Sequence, residues 1–249
     1  MHAVEVTSRA VPSHALAQQV PYWVAVLTPE ERPFGTRRTD PFIDTVDSSV
    51  VTTTRTQWAG TERPSATTLL AVLAATAGAW QTDRCRTCTS GVLVDISSES
   101  DSASEGNWGF YPVRLPSTGP AEFLTREVRR RVEATPAGGR DFRTAKYTLN
   151  APALARRSGA QISFDYRPEH PVLDHPVLEH PALEHPESEH GVPDESRPLN
   201  HSLSVTCEVV EVDGVMMVDT EFRWNCRIFT RSDVDDFERF WEKTIPTFC

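Results

Sequence analysis

The chain has 249 residues, of which 39% are hydrophobic, and a formal net charge of −10. This is enough apolar content for a buried core, but no apolar run approaches the ~20 residues that span a bilayer, and the first residues lack the basic and apolar regions of a signal peptide. Residues 168–195 hold eight acids and no Lys or Arg, and the remainder is near neutral at −2, so we expect a cytoplasmic protein with neither a nucleic-acid partner nor a membrane partner.

The five cysteines do not form the even set of a disulfide framework. Cys85 and Cys88 make a lone Cys-x-x-Cys, and a zinc site built on this pair would lack half of its ligands. We therefore interpret them as two ordinary loop cysteines in a reduced chain.

The first half of the chain alternates helix and strand signals. Apolar residues recur at helical spacing after Ser13, in a helix that Pro21 is expected to kink or divide. A β-branched run over 50–56 predicts a strand, and Ser65 is placed to cap a helix whose stripe ends at Trp80. Strands are then predicted over 92–96 and 110–115, with a polar loop over 97–105 between them.

The second half continues this alternation. The helical stripe of 120–133, with Pro120 in its first turn, is followed by alternating residues over 162–166. Asp213-Gly214 between two apolar runs predicts a type I′ hairpin, and Ser232 with Asp235 resembles a capping box that opens a closing helix. Strands interleaved with helices predict an α/β layered fold.

Several of these segments occur in the order found in a known family. The pieces are Trp108–Val113, the helix over 120–133, Pro136–Gly139, Lys146-Tyr147-Thr148 and Phe164-Asp165-Tyr166. Together they resemble the C-terminal half of the condensation and epimerization domains of nonribosomal peptide synthetases, with the epimerization branch closer. The resemblance implies one lobe of the chloramphenicol-acetyltransferase-like fold over 13–249, after a tail at 1–12. The Pro/His/Glu-rich stretch at 168–200 is expected to be a disordered loop within it.

The family's general base has no counterpart in these 249 residues. In the family it is a histidine of a His-His-x-x-x-Asp-Gly motif in the N-terminal half, whereas no two of the eight histidines here are adjacent. The family's second acid/base group, a glutamate of a Glu-Gly-His-Gly-Arg motif, aligns with Asp95, and the rest of that motif is replaced by Ile96-Ser97-Ser98-Glu99. Asp95 is thus either a shortened catalytic carboxylate or a strand-end acid that faces water.

Three further residues are candidates for a substrate channel, although Asp165 stands where the family has an asparagine. Tyr111, Asp165 and Tyr166 are expected either to line a channel for a pantetheine arm or to belong in part to the core. No cofactor is expected in the chain itself, because in the family the substrate is carried on the phosphopantetheine of a carrier protein.

A tandem pentapeptide follows Tyr166, with histidines at His170, His175, His180 and His185, each followed by proline. Proline every five residues removes backbone donors and disfavours regular helix or inner strand, so we expect an extended loop. Histidine with carboxylate suits Zn²⁺ or Ni²⁺. The alternative is a low-complexity expansion in a loop, where extra length costs little.

These observations leave three functional hypotheses. The first is a non-catalytic or incomplete condensation/epimerization-like protein, including an interaction module. The second is one half of a split enzyme that needs a partner lobe, and the third is a metal-binding protein that uses the His repeat. The expected partners are an N-terminal lobe or a peptidyl carrier protein, and self-association is expected through the face that the other lobe covers in the family, which should be apolar.

Overall fold

A six-stranded mixed sheet organises the chain in a computed structural model that describes residues 13–84, 90–97, 109–149, 151–167 and 197–249. The strand order is β1-β6-β5-β4-β2-β3. Strands β2, β4 and β5 run parallel to one another, and the other neighbours are antiparallel. The strands are β1 (Ser49–Gln57), β2 (Val92–Ser97), β3 (Phe110–Leu115), β4 (Ile162–Arg167), β5 (Leu203–Val212) and β6 (Val215–Asn225).

Six α-helices and three short 3-10 helices accompany the sheet in the described ranges. The α-helices are α1 (Ser13–Val26), α2 (Ala66–Asp83), α3 (Ala121–Glu133), α4 (Phe142–Tyr147), α5 (Pro152–Ala155) and α6 (Arg231–Thr244). The 3-10 helices are Val46–Ser48, Pro136–Gly139 and Ile245–Phe248. Within the described part of the chain, no helix is long and apolar enough to cross a membrane.

One part of the core lies on the side of the sheet that we call the aromatic face. Alternate residues of the central strands, such as Phe164 and Val205, point to this side and are almost fully buried. Phe222 of β6 contacts Phe237 of α6 with ring centroids 5.9 Å apart, and Trp80 of α2 contacts Phe237 at 6.0 Å. Helix α2 packs between α3 and α6, so these helices form the layer on the aromatic face.

The other side, the polar face, carries Asp95, Asp165, Thr206 and Glu221, as the strand register shows. Its β2–β3 end lies against α1, α4 and the chain that follows α1. There the buried guanidinium of Arg114 donates to the carbonyls of Val26 and Pro29 at 2.9 and 2.8 Å. The far end, formed by β5, β6 and β1, has no helix packed on it among the described residues and is lined by polar side chains.

Most of the sequence predictions are confirmed. The fold is α/β, and the hairpin turn has positive φ at both Asp213 and Gly214, as a type I′ turn requires. Ser65 caps α2 by accepting a hydrogen bond from the backbone of Thr68. Pro21 lies inside a single continuous α1 and does not divide it.

Three local predictions need correction. The cap of α6 is Thr230, whose side chain and that of Asp233 form the capping box, so the predicted Ser232–Asp235 pair was two residues too late. Pro120 is the N-cap of α3 and precedes its first turn. The predicted loop at 168–200 has a fixed end, because Pro198 forms a β-bridge with Thr45 and Leu199 is buried.

Candidate functional site

Asp95 and His201 form a hydrogen-bonded pair on the polar face. The distance from His201 Nε2 to Asp95 Oδ2 is 2.8 Å, and the two side chains are only 10% and 15% exposed respectively. The Phe110 ring packs against the imidazole in an edge-to-face arrangement, with centroids 5.4 Å apart. His201 is held there by the chain entering β5, where the backbone of Ser202 donates to the carbonyl of Gln161 at 2.8 Å. A carboxylate on one ring nitrogen fixes the orientation and the tautomer of an imidazole.

Lys146 of α4 brings a positive charge to the same cluster. Its side chain is buried, and burial lowers the pKa of its ammonium group, while the negative charge of Asp95 acts in the opposite direction. The other carboxylate oxygen of Asp95, Oδ1, is buried without a hydrogen-bond partner among the described residues. The cluster thus combines a carboxylate, an imidazole and an ammonium group in a largely water-excluded place.

A second acid, Asp165, lies beside this cluster. Ser97, two residues beyond Asp95 on β2, donates to Asp165 Oδ1 at 2.7 Å, and Asp165 Oδ2 is 3.9 Å from Arg167 Nε. Arg167 in turn lines an open cleft of about 570 Å³ over the far end of the polar face. The cleft is lined by Thr53, Thr54, Arg55, Arg167, Thr206, Glu208, Asp219, Thr220 and Glu221.

Tyr111 and Tyr166 lie on the opposite side of the sheet from the two acids. Tyr111 pairs with Ile96, and Tyr166 pairs with the buried Cys207, so both belong to the aromatic face. Tyr111 is 6% exposed, and its ring lies directly over Gly139. Of the four residues singled out for a catalytic or channel role, the structure therefore brings together Asp95 and Asp165 and places the tyrosines apart from them.

Sequence reasoning missed His201 and Lys146. His201 is 106 positions from Asp95, and no spacing rule connects them. Lys146 stood in a family-like segment, but its burial next to an acid was not expected. Trp108, the Cys85/Cys88 pair and the repeat histidines His170, His175, His180 and His185 lie outside the described residues.

Metal binding stays a prediction of the sequence alone. Among the described residues, no group of three or more His, Cys, Asp or Glu side chains is arranged to hold a metal ion. Calorimetric titration of the chain with Zn²⁺ would test the His repeat directly.

Comparison with solved structures identifies the fold. The epimerization domain from the third module of tyrocidine synthetase B matches with a TM-score of 0.60 and 13% sequence identity, over 92% of this chain and 54% of that chain. A chain in the complex of the X-domain and OxyB from teicoplanin biosynthesis matches with a TM-score of 0.61 and 15% identity, over 93% and 52%. The fold is that of one lobe of these domains.

The starter condensation domain of rhizomide synthetase RzmA gives the same picture, with a TM-score of 0.57 and 12% identity, over 93% of this chain and 52% of that chain. The lobe therefore spans about half the length of the structures that it matches, and the fold expected from the motifs is confirmed. No family model and no curated protein matches the sequence.

Proposed function

We propose that these 249 residues are the C-terminal lobe of a condensation- or epimerization-type domain of nonribosomal peptide synthesis, and that the lobe is incomplete as a catalyst. The observation that carries this proposal is that one complete sheet-and-helix unit matches 92% of this chain but only 54% of an epimerization domain. The family-like motifs fall within that unit in the expected order.

The catalytic inventory supports the same conclusion. Inverting an α-carbon needs one group to remove the proton from one face and a second group to return it on the other. The sequence offers Asp95 at the position of the family's glutamate and no His-His-x-x-x-Asp-Gly motif. The group for the opposite face is then expected from outside these residues, and the chain alone is expected to catalyse neither D/L interconversion nor amide formation.

The partner that this proposal requires is a lobe that contains the missing histidine motif. The substrate is an aminoacyl or peptidyl thioester on the phosphopantetheine of a carrier protein, so the carrier protein is the second expected partner. The lobe itself needs no metal or cofactor for this chemistry.

The test is to purify the chain with and without a candidate N-terminal lobe encoded in a neighbouring reading frame. Complex formation is measured by light scattering, and D/L interconversion is measured on a loaded carrier protein. We expect a 1:1 complex and interconversion only when both lobes are present. Full activity of the chain alone would contradict the proposal, as would the absence of any lobe with the histidine motif from the genome.

A second candidate is a non-catalytic interaction module. The observation that favours it is the similarity to the X-domain, which is found in a complex with OxyB. On this hypothesis the chain binds a partner protein, and no added lobe produces activity. Substituting Asp95 or His201 would then leave the affinity for that partner unchanged.

A further inference from the structure

We propose that His201 is the proton-transfer group of this lobe and that Asp95 is its positioning residue. The expected substrate is the α-carbon of an acyl thioester held on the polar face. The identity of the thioester rests on the proposed function, whereas the role of the pair rests on its own geometry.

The geometry leaves one ring nitrogen of His201 for a substrate. Nε2 is 2.8 Å from Asp95 Oδ2, which places the proton of the neutral ring on Nε2. The contact with Phe110 restricts rotation of the ring. Within the described residues, Nδ1 has no hydrogen-bond partner, and the His201 side chain is 10% exposed. An oriented imidazole with one unprotonated nitrogen is the arrangement that general-base catalysis needs.

Space for a substrate lies on the same face of the sheet. Ser97 and Asp165 form a polar bridge from the Asp95 strand toward Arg167, which lines the open cleft of about 570 Å³. Thr206 and Glu221 continue the same row of side chains across β5 and β6. A thioester lying along this row would place its carbonyl end near the pair.

The chemical step is proton transfer from carbon to nitrogen. The Cα–H bond breaks, its electron pair stays on the substrate as an enolate, and the proton moves to His201 Nδ1. The carboxylate of Asp95 keeps the ring oriented and pairs with the imidazolium that results. Return of a proton from the same nitrogen regenerates the Cα–H bond on the same face.

A single base therefore makes a specific prediction. In D₂O the proton on His201 exchanges with solvent, so the substrate gains deuterium at Cα and keeps its configuration. D/L interconversion does not follow, because it needs a second group on the opposite face. This outcome separates the role of His201 from the activity of a completed two-lobe enzyme.

The experiment uses the full chain and the N-acetylcysteamine thioester of N-acetyl-L-phenylalanine in D₂O. Deuterium at Cα is measured by mass spectrometry, and configuration is measured by chiral chromatography. We expect exchange about 100-fold faster than in buffer alone, with retention. His201→Ala and His201→Gln should reduce exchange to the buffer rate. The exposed His14 on α1 provides the matched control, and His14→Gln should exchange like the wild type.

The positioning role of Asp95 has its own readout. Nitrogen-15 chemical shifts of the His201 ring report which nitrogen carries the proton. In the wild type we expect the proton on Nε2, and in Asp95→Asn a shift toward the other tautomer. Exchange should fall close to the buffer rate in that variant, because the ring then presents the wrong nitrogen. Circular dichroism and thermal unfolding show whether each variant is folded.

The inference is overturned if the wild-type chain exchanges no faster than buffer. It is also overturned if a folded His201→Gln chain exchanges as fast as the wild type. Unchanged nitrogen shifts and unchanged exchange in Asp95→Asn overturn the positioning role. The two proposals fail separately. If a complex of the two lobes still interconverts D and L substrates after His201→Gln, only this inference is wrong. If the chain catalyses exchange but binds no second lobe, only the proposed function is wrong.

Discussion

At the scale of single residues, Asp44 shows how a buried charge is stabilised outside the candidate site. Its side chain has no exposed area, and both of its oxygens accept hydrogen bonds from Arg37 at 2.6 and 2.7 Å. The backbone of Asp40 donates a third at 2.8 Å. These donors, with Arg37 the largest contribution, lower the pKa of Asp44 to about 2. The pair fixes the loop that precedes β1.

We predict that Asp44→Asn lowers the free energy of unfolding at pH 7 by about 1–3 kcal/mol, because it weakens charge-assisted hydrogen bonds to a buried group. The pKa is lower in the folded state than the usual value of about 3.9. The contribution of the charged Asp44 carboxylate to the free energy of unfolding is therefore complete above about pH 4, and it is lost as the pH falls toward 2. Urea unfolding at several pH values measures it, with the exposed Asp47→Asn as control. If the difference in unfolding free energy between the wild type and Asp44→Asn grew below pH 4, this account would be contradicted.

Candidate site residues were predictable from sequence only where strand periodicity and family position both apply. Asp95 and Asp165 follow from their strands, because alternation and the motif order fix both positions. His201 does not, because its partner is 106 positions away and the contact depends on how the chain enters β5. A pairing set by tertiary packing leaves no local pattern in the sequence.

At the scale of elements, helix boundaries were less predictable than helix positions. The apolar stripe of α6 was evident, but both Thr230 and Ser232 are chemically able to cap a helix. Only Thr230 has a side chain that accepts from the backbone N–H of Asp233, and the Asp233 carboxylate in turn accepts from the backbone N–H of Thr230. The helices α4 and α5 were not predicted, because they are too short for a periodic pattern to emerge.

The two possible caps give a matched pair of variants. Thr230→Ala should destabilise the chain by about 1 kcal/mol, since it leaves a helix N–H without its acceptor. Ser232→Ala lies inside the exposed first turn and should change stability by less than about 0.5 kcal/mol. Denaturant unfolding at equilibrium compares them. Equal effects of the two substitutions would contradict the assigned cap.

The turn after α3 contains two glycines that differ only in their surroundings. Both have positive φ, 58° at Gly138 and 82° at Gly139, which disfavours any residue with a Cβ atom. A Cβ at Gly138 would meet nothing within 4 Å, whereas one at Gly139 would lie 2.1 Å from the Tyr111 ring. This close approach fixes the turn against β3.

We predict that Gly138→Ala costs about 1–2 kcal/mol from backbone strain alone. Gly139→Ala should cost a further 1–3 kcal/mol or so, because the tyrosine ring must move out of a packed position. Unfolding in denaturant gives both values, and near-ultraviolet circular dichroism should change mainly for Gly139→Ala. Similar losses of stability in the two variants would show that the Tyr111 ring moves aside without an energetic cost.

At the scale of the whole molecule, the open part of the sheet differs from the apolar lobe face that the family resemblance led us to expect. Its cleft carries Arg55, Glu208, Asp219 and Glu221, and Arg55 forms a two-point ion pair with Asp219 across the strands. Such a surface favours a polar substrate or a charged partner over a second hydrophobic layer. Phe42, in the loop before β1, is 94% exposed, more than any other large apolar side chain that the structure describes. Other exposed ones lie at the start of β1, on α3 and α4 and in the β5–β6 hairpin.

Self-association of the lobe is therefore expected to depend on this loop. Burying Phe42 in each copy of a symmetric dimer would contribute about 1.5–3 kcal/mol twice, or on the order of 10²-fold or more in the dissociation constant. Phe42→Ser should weaken dimerisation by that factor in concentration-dependent light scattering. Tyr147→Ser, at a 72% exposed position on α4, should not. A wild-type chain that stays monomeric at high concentration would exclude self-association, and equal weakening by both variants would place the contact elsewhere.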